Sequence, residues 1–585
     1  MRVTEAGATP AAAAEAGYFG PTMRPRFGWL HRPVVPANGV GLVIVPPFGY
    51  EAVCAHRSLR HLAEQAARAG ITAVRFDLDG CGDSAGDDLD PDRLDQWLAS
   101  IDDACALARG AGADRIVLAG VRLGTTLAFL AAARRDDVAG IVAIAAVASG
   151  KAWLREGRAL QMALGLAPAP APADDDVQEI VGFALTAQTR AALTAIDLLT
   201  LETRPAPSIL LIDRDDLPSN EAFAAHLAAL GAAVETKRLP GYVEMMLDPH
   251  RTSVSQAMLD ATIAFAARRP ALPVAAPSAS LTLSAEITLH CDGGAIREQA
   301  VRLDADLFGI ATLPPEPPQR ALILLNAGAV GRIGPNRLHV ALARRLAATG
   351  VLVLRLDLSG LGDSRTRPGA EENIVYHAHA VDDIGVAVDW ARSDGASEIA
   401  VAGLCAGAYH SLGAALAGQA IDTIVMINPL TFHYKPGMSL DFAAFRVIAD
   451  AQRYQKSIAR GVSWRKLLRG DVDVKRVADV VLRRTWSAFG RPWRELRRRL
   501  HLPHRDDLGA KLDMLAKRQV AMRFVFAGDD PGRFVLAEEG GSVVPRLREG
   551  GALSIQVIDG ADHTFTPRWS HRPLLDAVVE ALGRR

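Results

Sequence analysis

The chain contains one long internal repeat. Residues 70–86, GITAVRFDLDGCGDSAG, match residues 350–366, GVLVLRLDLSGLGDSRT, at an offset of 280. Three further pairs of segments follow the same order at nearly the same offset: 26–30 with 307–311, 116–130 with 399–413, and 140–147 with 422–429. This offset is far longer than a solenoid repeat, so each copy is predicted to be a whole domain.

The repeat divides the chain into two predicted domains. A length of 585 residues exceeds what one hydrophobic core usually holds. The Pro/Ala/Ser-rich stretch RRPALPVAAPSAS begins at residue 268 and has the composition of a linker. The predicted organisation is a first domain at 1–268, a linker at 269–280 and a second domain at 281–585.

Within each copy, short apolar segments alternate with amphipathic stretches. GLVIVPP, TAVRFDL, RIVLAGV and GIVAIAAV are rich in Val, Ile and Leu, whereas HRSLRHLAEQAARAG has the spacing of a helix. Nearly continuous apolar strands are typical of a parallel sheet that is buried on both faces. The predicted fold class is therefore α/β, with two mostly parallel sheets flanked by helices.

One segment of the second copy has the spacing of a nucleophile elbow. The apolar run IAVAGL leads into G-L-C-A-G at 403–407, with Cys405 in the middle. A glycine on each side permits the tight turn from a strand into a helix that exposes a nucleophile. The start of the helix favours an anion, so a thiolate is stabilised there. The simpler interpretation is that Cys405 is a small core residue.

Residues downstream supply an acid and a base in the order that this elbow requires. The strand-like MRFVFAG is followed by Asp529 and Asp530, and the strand-like LSIQVIDG is followed by His563. His563 is predicted to act as the general base for Cys405, and one of the two aspartates is predicted to orient it. The sequence does not choose between Asp529 and Asp530, and Asp559 is a weaker candidate.

Two backbone N–H groups are predicted to form the oxyanion hole. One belongs to Ala406, directly after the nucleophile, and the other to Ala327 in the loop NAGAVG. Three other histidines of this copy are predicted to be structural: His377, His379 and His410.

The first copy lacks the nucleophile and the base. Its elbow, GVRLG at 120–124, has Arg122 in the place of Cys405, and an alignment of Gly241 with Gly560 places Glu244 opposite His563. An arginine cannot be deprotonated to attack a carbonyl. The acid segment keeps Asp213, Asp215 and Asp216, and we predict that Glu244, together with Asp215, compensates the charge of Arg122. The alternative is that Arg122 binds a substrate carboxylate or phosphate.

Each copy carries an insertion that is predicted to be a helical cap, at about 150–205 in the first and about 432–518 in the second. Residues 435–518 contain 21 Lys or Arg and 9 Asp or Glu, whereas the whole chain has a net charge of −1. This local positive charge favours an acidic substrate, such as a CoA or carrier-protein thioester or an anionic glycan. An anionic membrane surface is a further candidate partner of the basic cap. Aromatic residues are not interleaved at a regular spacing, so nucleic acid is not predicted as a partner.

The cysteine content and the N-terminus predict a cytoplasmic protein without a metal site or cofactor. The five cysteines lack metal-type spacing, and their small, odd number is typical of free thiols in a reducing compartment: Cys54, Cys81, Cys105, Cys291 and Cys405. The N-terminal residues lack the basic and Leu-rich regions of a signal peptide. No run of about 18 apolar residues predicts a membrane-spanning helix.

Both halves resemble the α/β-hydrolase superfamily. The second is similar to the type 1 exosortase- and exopolysaccharide-associated hydrolases through GLCAG, INP, RYQKS and WRKLLRG. The first is similar to the type 2 hydrolases through VPPFGYE, DLDGCGDSAG and GVRLG. The resemblance implies a fusion of two partner hydrolases, which pack as an intramolecular pseudo-dimer.

The predicted function is acyl transfer by Cys405 on an ester or thioester, as a hydrolase or an acyltransferase, with the first domain as a pseudo-enzyme. Known Cys-nucleophile enzymes that this half resembles include dienelactone hydrolases, polyester synthases and some carrier-protein thioesterases. The alternative is a binding or assembly protein without catalysis, in which both pockets serve recognition.

Overall fold

The computed structural model of the protein describes residues 14–164, 177–269, 281–291, 294–435 and 506–583. Most of the predicted linker and most of the basic cap, residues 436–505, lie outside the described residues. Among the described residues, no helix is long and apolar enough to span a membrane.

The first half is built on a sheet of eight strands with the order β1-β2-β4-β3-β5-β6-β9-β10. The pairings β1–β2 and β2–β4 are antiparallel, and all the others are parallel. Two further strands, β7 and β8, form a separate antiparallel ribbon. The strands are β1 Ala14–Phe19, β2 Arg26–His31, β3 Val40–Val45, β4 Thr72–Phe76, β5 Arg115–Val121, β6 Val138–Ile144, β7 Val177–Ile180, β8 Phe183–Thr186, β9 Ser208–Arg214 and β10 Ala233–Leu239.

Eight α-helices cover this sheet. They are α1 Tyr50–Arg68, α2 Arg93–Gly110, α3 Leu123–Ala132, α4 Gly150–Ala163, α5 Ala187–Thr194, α6 Glu221–Ala229, α7 Tyr242–Met245 and α8 Gln256–Ala267. Strands β3, β4 and β6 are buried along their whole length, because helices pack on both faces of the sheet.

In the cap of the first half, the described residues form two helices, as predicted, and also a short antiparallel ribbon that the prediction did not include. Its helices α4 and α5 flank the ribbon β7–β8. The two residues between these strands, Val181 and Gly182, both have positive φ, at 50° and 82°. Two consecutive residues with positive φ are what a tight two-residue hairpin requires, and glycine adopts that conformation without strain.

The second half repeats the architecture with one additional edge strand. Its sheet has the order β11-β12-β13-β15-β14-β16-β17-β18-β19, and the pairings from β14 through β19 are parallel. The strands are β11 Glu286–Cys291, β12 Gly294–Leu303, β13 Leu307–Leu313, β14 Arg320–Leu325, β15 Val351–Asp357, β16 Glu398–Leu404, β17 Thr423–Ile427, β18 Ala521–Ala527 and β19 Leu553–Ile558. The α-helices described here are α9 Leu338–Ala347, α10 Ala380–Ser393, α11 Ala406–Ala417, α12 Leu508–Lys517, α13 Pro531–Gly540, α14 Val543–Glu549 and α15 His571–Gly583.

Without β11, the strand order of the second sheet is the order of the first. Both halves have the mixed sheet of an α/β-hydrolase, in which an antiparallel edge precedes a parallel core flanked by helices. The predicted fold class is therefore confirmed.

The two halves contact each other through residues that the repeat makes equivalent. Arg75 on β4 forms an ion pair with Asp363 at 2.6 Å, and its equivalent Arg355 on β15 forms an ion pair with Asp83, the equivalent of Asp363. Such reciprocal pairing is the contact pattern of an isologous two-fold interface. All four side chains are at most 10% exposed, and Asp363 and Arg355 have further partners in their own half, Arg332 and Glu298.

Aromatic residues of the strands β2 and β13 pack beside these ion pairs. Phe27 and its equivalent Phe308 lie with ring centroids 6.4 Å apart, and Trp29 lies 4.6 Å from Phe308. Tyr18 and Ile310 complete this buried cluster. The apolar contact between the halves is therefore centred on the segments RFGWL and LFGIA.

Candidate active site

Cys405 occupies a strained turn between β16 and α11. Its φ of 58° and ψ of −111° lie outside the conformations that most residues adopt. A Cβ atom on Gly403 would collide with the backbone of Gly407, and one on Gly407 would lie 2.8 Å from the carbonyl oxygen of Asn326. Both elbow glycines are therefore required by the close approach of strand, helix and neighbouring loop.

Four adjacent parallel strands end at the residues of this site. Cys405 follows β16, Asn428 follows β17, Asp530 comes shortly after β18 and His563 comes shortly after β19. Because β16, β17, β18 and β19 are neighbours in the sheet, their carboxyl ends form one row. The carboxyl edge of a parallel sheet is where the sites of open α/β folds are built.

Asp530 is the aspartate that the structure brings to His563. Its Oδ2 accepts a hydrogen bond from Nδ1 of His563 at 2.6 Å, and its Oδ1 accepts one from the N–H of Gly532 at 2.8 Å. The carboxylate is fully buried at the start of α13, whereas Asp529 and Asp559 are exposed. The choice that the sequence left open therefore falls on Asp530.

The charge state of the His563 ring depends on Asp530 and on Cys405. Burial lowers the pKa of His563, but the hydrogen bonds to Asp530 and to Cys405 and the charges of these two groups outweigh it and raise the pKa to about 10. The imidazole is therefore a cation at neutral pH when the sulfur is negatively charged. A protonated imidazole beside the sulfur stabilises a thiolate.

Asn428 fixes the loop that carries His563. Its side-chain N–H donates to the carbonyl oxygen of His563 at 2.7 Å, and its Oδ1 accepts from the N–H of Ala527 at 2.8 Å. The sequence analysis gave this residue no role. Its position directly after an apolar strand, in the segment INP, is the signal that would have indicated it.

Tyr376 is a second site residue that the sequence analysis missed. Burial, followed by the charge of Cys405, raises the pKa of its hydroxyl. Its ring stacks on Tyr434 with centroids 4.4 Å apart and contacts the edge of Tyr409 at 5.1 Å. Tyr376 lies in a loop before α10 that has no matched segment in the first half, so the repeat gave no signal for it.

The two residues predicted to form the oxyanion hole lie beside Cys405. Ala406 is the first residue of α11, and Ala327 belongs to the apolar cluster against which Cys405 packs. The side chain of Asn326 holds the Ala327 loop, because its N–H group donates to Val330 O at 3.0 Å and to Asp357 at 2.8 Å. The role of the two backbone N–H groups as oxyanion donors stays a prediction.

The three additional histidines do not contact the sulfur through any hydrogen bond described here. His410 is buried and bonded through Nε2 to the carbonyl oxygen of Val375 at 2.8 Å. Burial lowers the pKa of His410 to about 4 and that of His377 to about 4. His379 lies at the start of α10, 3.9 Å from Asp382.

The elbow of the first half has the same backbone with different side-chain chemistry. Arg122 has φ 54° and ψ −122°, and a Cβ atom on Gly124 would lie 2.6 Å from the carbonyl oxygen of Pro46. The side chain of Arg122 forms ion pairs with Glu51 of α1 at 2.8 Å and with Glu156 of α4. The first half therefore keeps the strained turn but presents a cation held by two carboxylates.

These partners correct the prediction for Arg122. Glu244 and Asp215 are not the residues that form its ion pairs; Asp216 pairs with Arg214 at 2.5 Å, and the carbonyl oxygen of Asp215 accepts a hydrogen bond from Arg238. The prediction placed the partner of Arg122 at the position that aligns with His563. The observed partners are Glu51, in the first turn of α1, and Glu156, in helix α4 of the cap. No equivalent residue of the second half indicated them.

A cavity of about 740 Å³ lies between the two halves, away from Cys405. Its walls come from α1 and the DLDGCGD loop of the first half and from α9, α15 and the SGLGD loop of the second. Neither Cys405 nor His563 lines it. Most of the basic cap that was predicted to cover Cys405 lies outside the described residues.

The chain is similar to known hydrolases. A family model described as serine aminopeptidase, S33, matches residues 54–172, and no curated protein matches the chain. One similar solved structure is Est1E from Butyrivibrio proteoclasticus with ferulic acid bound, which is 19% identical; the match covers 42% of this chain and 93% of that chain, with a TM-score of 0.33. Dienelactone hydrolase from Anabaena variabilis is 13% identical; the match covers 49% of this chain and 96% of that chain, with a TM-score of 0.30. Proline iminopeptidase from Mycobacterium smegmatis is 16% identical; the match covers 43% of this chain and 97% of that chain, with a TM-score of 0.29.

The strand order and the two elbows have the architecture of the α/β-hydrolase fold. The family match lies within the half that carries Arg122 and does not include Cys405. The narrower resemblance to the exosortase-associated hydrolases stays a prediction.

Proposed function

We propose that the second half is an acyl-transfer enzyme in which Cys405 attacks an ester or thioester. One observation carries this proposal: the buried carboxylate of Asp530 accepts a hydrogen bond from Nδ1 of His563, at the same edge of the sheet as the Cys405 elbow. In nucleophilic catalysis, a histidine generally activates the nucleophile, and an acid orients the histidine.

The reaction proceeds in two steps. The Cys405 thiolate attacks the carbonyl carbon, and the tetrahedral oxyanion accepts hydrogen bonds from the N–H groups of Ala406 and Ala327. Collapse of this intermediate breaks the bond to the leaving group, which takes the proton from the imidazolium of His563, and leaves an acyl–Cys405 thioester. The neutral His563 then removes a proton from water, an alcohol or an amine, which attacks the thioester and releases the thiolate.

A thioester bound to CoA or to a carrier protein is the proposed acyl donor. The acyl–enzyme is itself a thioester, so its formation from such a donor exchanges one thioester for another at little cost in free energy. The excess of 21 basic over 9 acidic residues in 435–518 favours a donor with an anionic handle. Peptidase activity, which the description of the matched family names, is less favoured because an amide leaving group needs stronger acid assistance.

The first half is proposed to be a pseudo-enzyme that packs on its partner as an intramolecular pseudo-dimer. Arg122 cannot act as a nucleophile, and its two carboxylate partners occupy the guanidinium. The reciprocal ion pairs Arg75–Asp363 and Arg355–Asp83 support the pseudo-dimer.

Trapping of the acyl–enzyme by mass spectrometry tests the proposal. The full chain is incubated with a panel of acyl-CoA and acyl-pantetheine thioesters, and the acylated residue is mapped. We expect acylation at Cys405 in the wild type, none at that position in Cys405→Ala, and a rate at least 100-fold lower in His563→Ala. Cys81 is a matched internal control, because it is also a partly buried free thiol.

The second candidate function is recognition without catalysis, which the cavity between the halves favours. If Cys405 reacts no faster than Cys81 with every thioester of the panel, the acyl-transfer proposal is wrong and a binding or assembly role takes its place. Cys81→Ala is expected to leave acylation of Cys405 at the wild-type rate.

A further inference from the structure

The loop that carries His563 folds into a compact turn. The backbone N–H of Thr566 donates to Oδ1 of Asp562 at 2.6 Å, and that of Phe565 donates to the carbonyl oxygen of Asp562 at 3.2 Å. Phe565 has a left-handed φ of 52°, and its side chain is fully buried. A residue other than glycine keeps this conformation only where its surroundings fix it. The turn therefore couples the position of His563 to that of the residues that follow it.

The far end of this loop is anchored on the first half of the chain. Nη1 of Arg568 donates to the two carboxylate oxygens of Asp88, at 2.5 Å and 2.7 Å. The backbone N–H of Arg568 donates to Oε2 of Glu179 at 3.1 Å. The side chains of Arg568 and Asp88 are 27% and 16% exposed, so water screens their ion pair only partly. Two carboxylates of the first half therefore hold a residue that closely follows His563.

Both carboxylates belong to the ribbon β7–β8 or lie against it. Glu179 is on β7, and Oδ2 of Asp88 accepts a hydrogen bond from the N–H of Ala184 on β8 at 2.9 Å. At the tip of the ribbon, a Cβ atom on Gly182 would lie 2.6 Å from the carbonyl oxygen of Thr566. A side chain at the tip would push the ribbon away from the loop, so the glycine allows their close approach.

The ribbon is part of the cap of the first half, and helix α4 holds it. The N–H of Val181 donates to Oε1 of Gln161 on α4 at 3.3 Å. The same helix carries Glu156, which pairs with Arg122. The cap therefore contacts the elbow of its own half through α4 and the candidate site of the other half through its ribbon.

We propose that the first half positions His563 for catalysis in the second half, through the two carboxylates that anchor Arg568. This inference rests on the proposed function. A general base acts only within hydrogen-bond distance of the proton that it removes, and a displacement of about 1 Å can lower a rate about 100-fold. Arg568 is a positioning residue, because it acts through the loop and not on the sulfur or the imidazole. The half without a nucleophile thereby contributes to the reaction of the other half.

The test uses the full chain, an acyl-pantetheine thioester as the probe and Arg568→Gln as the first variant. Asn428 and Asp530 still hold the near end of the loop in this variant. We therefore expect acylation of Cys405 to slow about 10-fold and not to be abolished. Arg568→Lys keeps a charged donor for Asp88 and should recover acylation to within about threefold of the wild type.

Alkylation of Cys405 by iodoacetamide over a range of pH separates positioning from a contribution to stability. The alkylated residue is mapped by mass spectrometry. The imidazolium of His563 stabilises the thiolate, so a displaced ring raises the pH of half-maximal alkylation, and we expect Arg568→Gln to raise it by about 0.5–1 pH unit. A residue that contributed only to stability would leave this pH unchanged in the folded protein.

Asp88→Asn breaks the same contact from the first half, and it tests the proposal if Arg568→Gln does not fold. If the two residues act as one anchor, the double variant acylates at the rate of either single variant. Arg302→Gln is the matched control, because Arg302 also donates across the halves, to the carbonyl oxygen of Ala14 at 2.8 Å, and lies outside this contact. It should match the wild type in the rate of acylation and in the pH of half-maximal alkylation.

Each remaining outcome has a separate meaning. Wild-type rates in both Arg568→Gln and Asp88→Asn overturn the positioning role, and so do slower rates with an unchanged pH of half-maximal alkylation. A double variant that shows the product of two separate losses also overturns it. Failure of the wild type to acylate at Cys405 overturns the proposed function instead. The alkylation series then still decides the anchor: a raised pH in Arg568→Gln supports it, and an unchanged pH overturns it.

Discussion

The two elbows of this chain share a backbone and differ in what they present. Cys405 and Arg122 have φ values of 58° and 54° and occupy the same turn between a parallel strand and a helix. In the second half the turn brings a sulfur to an imidazole and a buried carboxylate. In the first half it brings a guanidinium to two glutamates.

The comparison shows that strain at a nucleophile elbow belongs to the fold and does not by itself indicate chemistry. The first half has kept the glycines Gly120 and Gly124, whose missing side chains allow the close approach of helix and loop. That packing is present with an arginine at the elbow as it is with a cysteine. The proposed activity depends instead on the residues at the ends of the neighbouring strands.

The largest expected effect is on the rate of Cys405 acylation when Asp530, the carboxylate that contacts His563, is changed. Asp530→Asn keeps the hydrogen bond to Gly532 but removes the charge that orients and stabilises the imidazolium of His563. We expect the rate of Cys405 acylation to fall by about 100-fold or more, and stability to fall as well, because the His563 imidazolium loses its buried partner. Asp529→Asn is the matched control and should acylate within about twofold of the wild type. The reverse pattern would transfer the acid role to Asp529.

The ion pairs of Arg122 with Glu51 and Glu156 are expected to contribute to the stability of the protein, with little effect on the fold of the second half. Glu51 is 19% exposed and Glu156 is 53% exposed. Glu51→Gln leaves Arg122 with only the more solvated partner, and we expect it to lower the free energy of unfolding by about 2–3 kcal/mol. Glu156→Gln should cost about 0–1 kcal/mol, because water already screens that pair. Denaturant unfolding of the two variants measures the difference, and equal costs would contradict this account.

The last difference is a pH dependence confined to the second half. The pKa of His563 is raised to about 10, above the ordinary value of about 6.5, so its protonated form is stabilised by folding. This contribution is fully present below pH about 6.5 and is lost as the pH rises through about 10.

His563→Gln should therefore cost more stability at pH 6 than at pH 10 relative to the wild type. Denaturant unfolding at the two values measures this difference. Arg122 stays charged throughout this range, so Glu51→Gln should show no such trend. A cost of His563→Gln that does not change with pH would mean that the ring is not held as a cation in the folded protein.

Much of the candidate site was predictable because its signals are local. The elbow at Cys405 follows from five consecutive residues, and His563 follows from a strand and a short loop in the required order. The choice of Asp530 over Asp529 was not predictable, since it depends on which carboxylate begins α13 and becomes buried. Tyr376 escaped prediction because it lies in an irregular loop without a periodic pattern.

The sequence by itself determined the duplication, the α/β class and the loss of the nucleophile in one copy, because these depend on residue type and order along the chain. The tertiary structure decided which residues meet: Glu51 and Glu156 at Arg122, Glu372 at α1, and the equivalent pairs Arg75–Asp363 and Arg355–Asp83. Charges that are hundreds of residues apart find their partners only when two sheets pack together. That packing is set by shape and burial over whole surfaces, which no short segment of the sequence encodes.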